Sequence, residues 1–494
     1  MMRNPVDIAV GFFSPEAGLR RFYKRAMLTR AYEGASKRDG WRPKRPGASA
    51  NTDHAADAAT LRARSRSLVQ NVPYVAQGMR SLVANVIGTG ITPRWKGVDE
   101  KKLNELWRQW GPYADADGRL DIYGLQAAAY RAAQQDGEVL VRKRMRRVSD
   151  GFPVPIQFQL LEIDWLDSSK NETRNGRSIV NGIEYDVLGR VMGYWLFDAH
   201  PGETTPLRGI RGASSFVGAE NIIHLFKPER PGQGRGFPRL SPVIAWIRDL
   251  RLYQDAEQQR KNLETRLSVL ATGDVSEMAN PPEAGGAPDQ AEARRTGELG
   301  SLASGGITQI PQGLNLTVVK PEAAPGYVDY VVHMLHLIAA GFGVTYEMMT
   351  GDVSEVNFSS ARIRMIDIRR EYEMEQWTEL VPMLCNPICR AFADAAELAG
   401  LARANYDVDH AMPKWDYVNP AQDVRADLDE IAGGLSSISE KLRRRGYKPD
   451  EVFAELAEDI EKLRKLGLLD VLLALQNSRS VADGNAPKPA KFEA

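Results

Sequence analysis

Residues 337–362, LIAAGFGVTYEMMTGDVSEVNFSSAR, constrain this chain more than any other segment. Apolar residues at helical spacing lead into the segment and stop at a Gly-rich break around Gly341 and Gly343. A polar stretch follows, and a second, longer helical pattern opens at Ser359 and Ser360. A polar loop held between two long helices fills a core poorly, because buried polar groups need partners that a short loop cannot bring. It is suited to pushing a short segment into open space, such as a groove or a channel.

The sequence before this loop divides into recognisable parts. Residues 37–52, KRDGWRPKRPGASANT, are basic, rich in Pro and Gly and aperiodic, which predicts a flexible arm. From residue 55 an apolar stripe (Leu61, Leu68, Val69, Val75, Met79, Leu82, Val86) predicts helix. Pro73 disfavours helical geometry at Val72, so two helices should meet there. Further helices are predicted over 104–110 and 123–135. Alternating segments at 156–160, 183–187 and 191–197, separated by Asn181-Gly182 and Leu188-Gly189, predict a mostly antiparallel sheet, with one more strand at 222–226.

Ser241-Pro242 should open a long helix, Ser as its cap and Pro in its first turn, reaching about residue 270 and spanning ~45 Å. Its apolar first half and charged second half predict a helix that leaves the core or packs on another copy. Residues 280–300 are aperiodic, and short strands are expected between 305 and 319, so a small excursion separates this helix from the next, at 326–340. After the loop a helical pattern runs over 360–398, and Pro382 and Pro387 must kink or divide it. Two weaker helices, 420–431 and 449–466, precede a polar tail.

Recognisable reaction chemistry is missing from the motifs. With 64 basic against 64 acidic residues, the chain does not read as one that coats nucleic acid by bulk charge. Cys385 and Cys389, four apart on one predicted helix, are too few for a metal site and read as reduced, packed thiols. The most apolar window falls short of the ~18 residues of a membrane span, so no membrane contact is expected. There is no Gly-Lys dipeptide for a phosphate loop, and Gly88-Thr89-Gly90 lacks the third glycine of a dinucleotide loop. His333 and His336 have no glutamate between them, and no Gly-x-Ser-x-Gly elbow occurs. Asp115, Asp117 and Asp121 surround Gly118 without the glutamate that closes a calcium loop, which predicts a helix-capping turn. The sharpest basic run, Arg142, Lys143, Arg144, Arg146 and Arg147, follows a predicted strand. It reads as a solvated edge, a set of ion pairs to a neighbouring subunit, or phosphate contacts. Neither it nor Lys441–Arg445 carries interleaved aromatics for base stacking. No catalytic residue, metal or cofactor is expected. A metal-dependent nuclease built from carboxylates distant in sequence stays open as the alternative from another class.

Several blocks, in this order and spacing, resemble the lambda-type family of tailed-phage portal proteins. They are RSRSLVQNVPYVAQGMRSLVANVIGTGI (64–91), FQLLEIDWLD (158–167), NGIEYDVLGRVMGYWLF (181–197), IIHLFKPERPGQGRGFPRLSPV (222–243), GFGVTYEMMTGDVSEVNFSSAR (341–362) and WDYVNPAQDVRADLDEIAGGLSS (415–437). The resemblance implies an α+β portal fold and a structural, non-enzymatic protein. It further implies a homo-oligomeric ring, usually of twelve subunits, at one capsid vertex of a virion assembled in the host bacterial cytoplasm. Terminase drives double-stranded DNA through such a ring, and head-completion or adaptor proteins, the major capsid protein and scaffold proteins are its other partners. A portal kept in a gene-transfer particle is a third reading. The implied division is an N-terminal arm (1–54), an α/β wing (55–239), a first stem helix (240–272), a clip (273–325) and a second stem helix (326–342). A tunnel loop (343–358), a long wing helix (359–406), a crown-like helical region (407–476) and a disordered tail (477–494) complete it. Thr350, Gly351, Asp352, Val353, Ser354, Glu355, Val356 and Asn357 would line the channel.

Overall fold

The structure, a computed structural model, describes residues 47–174, 176–203, 212–265, 268–272, 315–319, 326–354, 358–413, 415, 420–444, 447 and 449–468. The Ser49 side chain accepts from the Thr52 N–H and starts helix α1 (Ala50–Asn71), inside the segment expected as an arm. Val72 is extended, with φ −114°, and Pro73 opens α2 (Pro73–Val86), so the helices meet where the proline predicts. Strand β1 (Thr92–Trp95), α3 (Glu100–Trp110) and α4 (Ile122–Asp136) follow. Asp121 caps α4 through the Gly124 N–H, and Asp115 accepts from the backbone N–H groups of Asp117, Arg119 and Leu120. Asp115 and Asp121 thus shape the turn that the sequence predicts.

All named strand pairs are antiparallel. β2 (Glu138–Met145) pairs with β3 (Ile156–Leu161). A five-stranded sheet follows, formed by β4 (Glu172–Arg174), β5 (Arg177–Val180), β6 (Ile183–Tyr185), β7 (Val191–Phe197) and β8 (Ser214–Gly218). β9 (Ile222–Phe226) returns to the other edge of β2. Alternation along β2 sends Val139 and Val141 into the main core with the helices. It sends Leu140 into a smaller core with Leu161, Leu166, Ile183 and Leu196.

Helix α5 (Ile244–Thr265) begins later than Ser241-Pro242 predicts and ends before residue 270. The Ser241 hydroxyl donates to the Pro238 carbonyl at 2.6 Å, closing a turn instead of capping the helix. β10 (Ser268–Thr272) and β11 (Asn315–Val319) pair beyond it. Most of the expected excursion, at 273–314, lies outside the described residues, as do 1–46 of the expected arm and the expected tail at 477–494. Then come α6 (Tyr327–Phe342), the short α7 (Tyr346–Thr350) and α8 (Phe358–Glu375).

The helix continues in a π register over Gln376–Cys385 and resumes as α9 (Asn386–Leu398). Pro382 sits inside the π segment, whose wider turns absorb its missing N–H, and Pro387 falls in the first turn of α9, where no N–H is needed. Cys385 and Cys389 are free and buried, and burial pushes the Cys385 thiol up to about 12. β12 (Val408–Ala411) pairs with β1, and three helices follow: α10 (Pro420–Ala432), α11 (Ile438–Arg444) and α12 (Pro449–Lys465). Trp95, Trp107, Trp110 and Phe392 form the aromatic centre of the core, with Trp107 and Phe392 both about 5 Å from Trp110 between ring centroids.

Candidate functional site: a tethered loop with an exposed tip

Helix α6 ends at Phe342, and Gly343 closes it in the left-handed region at φ +76°. The Arg239 guanidinium meets this helix end: its Nε donates to the Phe342 carbonyl at 2.7 Å. One guanidinium thus satisfies a carbonyl that the helix leaves unpaired and places its charge at the negative end of the helix dipole. A Cβ on Gly343 would lie 2.5 Å from the Arg239 Nη2. The same guanidinium donates to Gln134 at 3.1 Å and to the Glu375 carboxylate. Glu375 also accepts from the Tyr130 hydroxyl at 2.5 Å, with the Lys227 ammonium 3.4 Å away. Burial pushes the Glu375 carboxyl up, but Arg239, then Tyr130 and Lys227, outweigh it and hold the group below the usual range. Tyr372 donates to the Gly343 carbonyl at 3.2 Å, and Gln376 donates to the Val86 carbonyl at the end of α2 at 2.6 Å. The loop base is therefore held directly by Arg239, before α5, and by Tyr372 of α8, with Gln134 and Tyr130 of α4 and Glu375 of α8 bracing them.

The expected loop is not wholly irregular, since α7 lies within it. The Thr345 hydroxyl caps α7 through the Met348 N–H at 3.2 Å, a local signal that the polar reading of the segment passed over. The helix packs on α2, where the Ser81 hydroxyl donates to the Met348 carbonyl at 3.0 Å. His336 stacks on Tyr346 with centroids 4.3 Å apart, a packing role rather than a ligand role.

Thr350 ends α7, and Gly351 terminates it at φ +76°. Beyond it the contacts are local. The Asp352 N–H donates to the Thr350 hydroxyl at 3.2 Å, and the Ser354 N–H donates to Asp352 at 3.0 Å. The Tyr346 hydroxyl donates to Asp352 at 3.3 Å. The Ser354 backbone N–H, then the Ser354 and Tyr346 hydroxyls, hold the Asp352 carboxyl below its usual range. Val353 is 67 % exposed. Glu355, Val356 and Asn357 lie outside the described residues.

The basic run sits elsewhere, on and just beyond the end of β2. Arg144 donates through Nε and Nη2 to Gln159 at 3.0 and 2.6 Å, and Arg146 donates through Nε to Gln157 at 2.8 Å. Lys143 points to the other face, half-buried, and burial lowers its pKa against the pull of Asp394 and Glu220. The Arg147 N–H donates to Asp150 at 2.9 Å. Among the described residues no hydrogen bond or ion pair joins this run to the loop.

Two polar clusters escaped the motif search. In one, the fully buried Glu138 carboxylate meets Arg235 at 2.7 Å, His224 at 3.0 Å and His54 at 3.3 Å. Burial pushes Glu138 up, but Arg235 and the two histidines hold it well below the usual range. The other is the node of Arg239 and Glu375. Arg235 and Arg239 fall inside the quoted block 222–243, but their carboxylates are 97 and 136 residues away, beyond any spacing rule.

Glu162, Asp164 and His200 bring donor atoms within 4.8 Å of one another, as a nuclease metal site would require. The Arg66 guanidinium already lies among them, 2.5 Å from Asp164 and 3.3 Å from Glu162, and Arg62 holds Asp164 at 2.8 Å. Cationic side chains occupy the place of an ion, so this cluster reads as an ion-pair network.

The sequence matches the family described as phage portal protein, lambda family, over residues 35–376. It is 26 % identical to the probable portal protein of Halomonas phage phiHAP-1, over 92 % of this chain and 89 % of that one. It is 22 % identical to portal protein B of Escherichia phage lambda, over 82 % of this chain and 84 % of that one. Among solved structures it is similar to a chain in the virion of a native gene transfer agent particle. That likeness has 15 % identity and a TM-score of 0.45, and it covers 80 % of this chain and 94 % of the other. The family match covers well over half of the sequence, and the chain belongs to the lambda family of phage portal proteins.

Proposed function

We propose that copies of this chain close into a ring, of twelve subunits as the family resemblance implies, at one vertex of a capsid. The ring is the head-tail connector, a structural part of the virion and not an enzyme, assembled in the bacterial cytoplasm. Double-stranded DNA is packaged through its channel by terminase and later leaves the same way. The observation that carries this reading is the loop between α6 and α8, whose base is pinned and whose tip is exposed. In a lone subunit that tip lines nothing. In a ring, Thr350 to Asn357 of every copy meet around one opening.

Under this reading residues 55–239 form the wing, α5 and α6 are the two stem helices, and 273–325 form the clip that meets terminase and then head-completion proteins. Residues 359–406, whose helical part ends at Leu398, return through the wing, and 407–476 build the crown. The described part of the tip presents a carboxylate and a hydroxyl and no cation, which suits a surface that phosphates slide past. No helix among the described residues is long and apolar enough to cross a membrane.

Negative-stain images of the purified chain test the reading. Rings with a central hole are expected, and their rotational symmetry gives the subunit number. A protein that stays monomeric and cleaves DNA with a divalent metal would overturn it in favour of the nuclease.

A further inference from the structure

Strand alternation places Arg142, Arg144 and Arg146 on one face, opposite Gln159 and Gln157 of β3. Two residues of strand rise set successive arginines about 7 Å apart. Their fixed partners are neutral: Gln159 holds Arg144, and Gln157 holds Arg146. The amide of Gln157 is itself fixed by donating to the Tyr113 and Asp115 carbonyls at 2.8 and 2.9 Å. Among the described residues none of the three arginines makes an ion pair. Arg62, Arg66, Arg235 and Arg239 all meet a carboxylate. Burial and the charges of Arg142 and Arg146 disfavour the Arg144 cation, and Asp117 opposes them only in part. With Arg144 and Arg146 pinned, the row is thus a half-exposed line of positive charge that the subunit leaves largely uncompensated.

Such a line fits a polyanion with a regular repeat. Phosphates on one strand of a duplex recur every ~3.4 Å of axis rise, which the helical path stretches to roughly 7 Å through space. Guanidinium groups match phosphate oxygens as planar forks. With no aromatic residue among positions 142–147, nothing in the row stacks on bases, so contact would be independent of sequence. We propose that Arg142, Arg144 and Arg146 form a docking surface for the phosphate backbone of double-stranded DNA, outside the loop that lines the channel. This inference rests on the reading of the chain as a DNA conduit.

The test uses assembled rings of the full chain and a labelled 30-base-pair duplex of arbitrary sequence, with affinity measured by anisotropy between ~50 and ~200 mM salt. Each phosphate contact contributes ~0.9 to the slope of log affinity against log salt. The R142Q/R144Q/R146Q ring should therefore show a slope shallower by ~2–3, and R144Q alone by ~1. Unchanged slopes in rings that assemble normally overturn the proposal. If the triple variant fails to assemble and the R144Q ring keeps the wild-type slope, the row is a contact between copies and the proposal is also overturned. A wild-type chain that forms no ring overturns the portal reading instead, and the salt slopes of the free subunits then decide the arginine row.

Discussion

The base and the tip of the loop after α6 are built in opposite ways. At the base, Arg239 reaches a carbonyl 103 residues away and a carboxylate 136 residues away, largely shielded from water. At the tip, Asp352 is exposed, and its bonds among the described residues go to Thr350, Ser354 and Tyr346, no more than six residues off. The base sets where the loop starts. The described part of the tip is held by contacts between near neighbours in the chain.

The largest test breaks the base. Replacing Glu375 with Ala leaves the Arg239 guanidinium without its carboxylate in a largely buried site. It should destabilise the subunit by ~3–5 kcal/mol in chemical denaturation. The R239A/E375A double variant should lose much less than the sum of the two single variants. Strict additivity would show that the pair is not the coupled unit described above.

Two glycines with the same backbone conformation sharpen the comparison. Gly343 and Gly351 both have φ +76°, but an added Cβ meets Arg239 at Gly343 and finds open space at Gly351. Gly351→Ala should cost only the left-handed penalty, ~1–2 kcal/mol. Gly343→Ala should cost at least ~1 kcal/mol more, since it also displaces the guanidinium. Equal losses in thermal or chemical unfolding would mean that Arg239 yields freely and that the base is not rigid.

Acid acts on the base as well. The folded Glu375 carboxyl lies below its unfolded value, so as pH falls the unfolded chain binds this proton first. The contribution is complete above about pH 4.3, the unfolded value for a glutamate, and is lost as pH drops toward the folded value. Glu375→Gln, which cannot titrate, should show a shallower loss of stability than the native chain as pH falls below the unfolded glutamate value of about 4.3. Parallel acid limbs would remove Glu375 from the account.

The smallest effect on folding belongs to the tip. Asp352→Lys, an exposed substitution, should change stability by less than ~0.5 kcal/mol, and combined with Glu355→Lys it should leave ring assembly intact. DNA packaging should slow or stop, because lysines facing phosphates hold them. Wild-type packaging in that double variant would sink the role given to these two carboxylates.

Much of this contrast follows how far apart interacting residues lie in the chain. Pro73 marks the break between the first two helices, Asp121 marks the start of α4, and alternating residues mark β3 and β7, because each signal acts within a few positions. The tip is legible for the same reason. Ser241 misled as a cap: its hydroxyl donates to the Pro238 carbonyl, three residues back, and the helix starts only at Ile244. Pro382 was visible as a disturbance, but the sequence did not say whether it would kink the helix or widen it; the structure has it inside a π segment that buries Leu380, Val381 and Leu384.

The sequence by itself determined the order of helices and strands, the polar loop between α6 and α8, and family membership through blocks spread along the chain. Tertiary structure alone decided that Arg239 meets Glu375 and Phe342, and that Glu138 gathers Arg235, His224 and His54. It likewise decided that Arg144 and Arg146 are left with amides for partners. The physical reason is that these partners lie 11 to 136 residues apart in the chain and meet only when folding brings them together. No local pattern of residue types encodes that meeting.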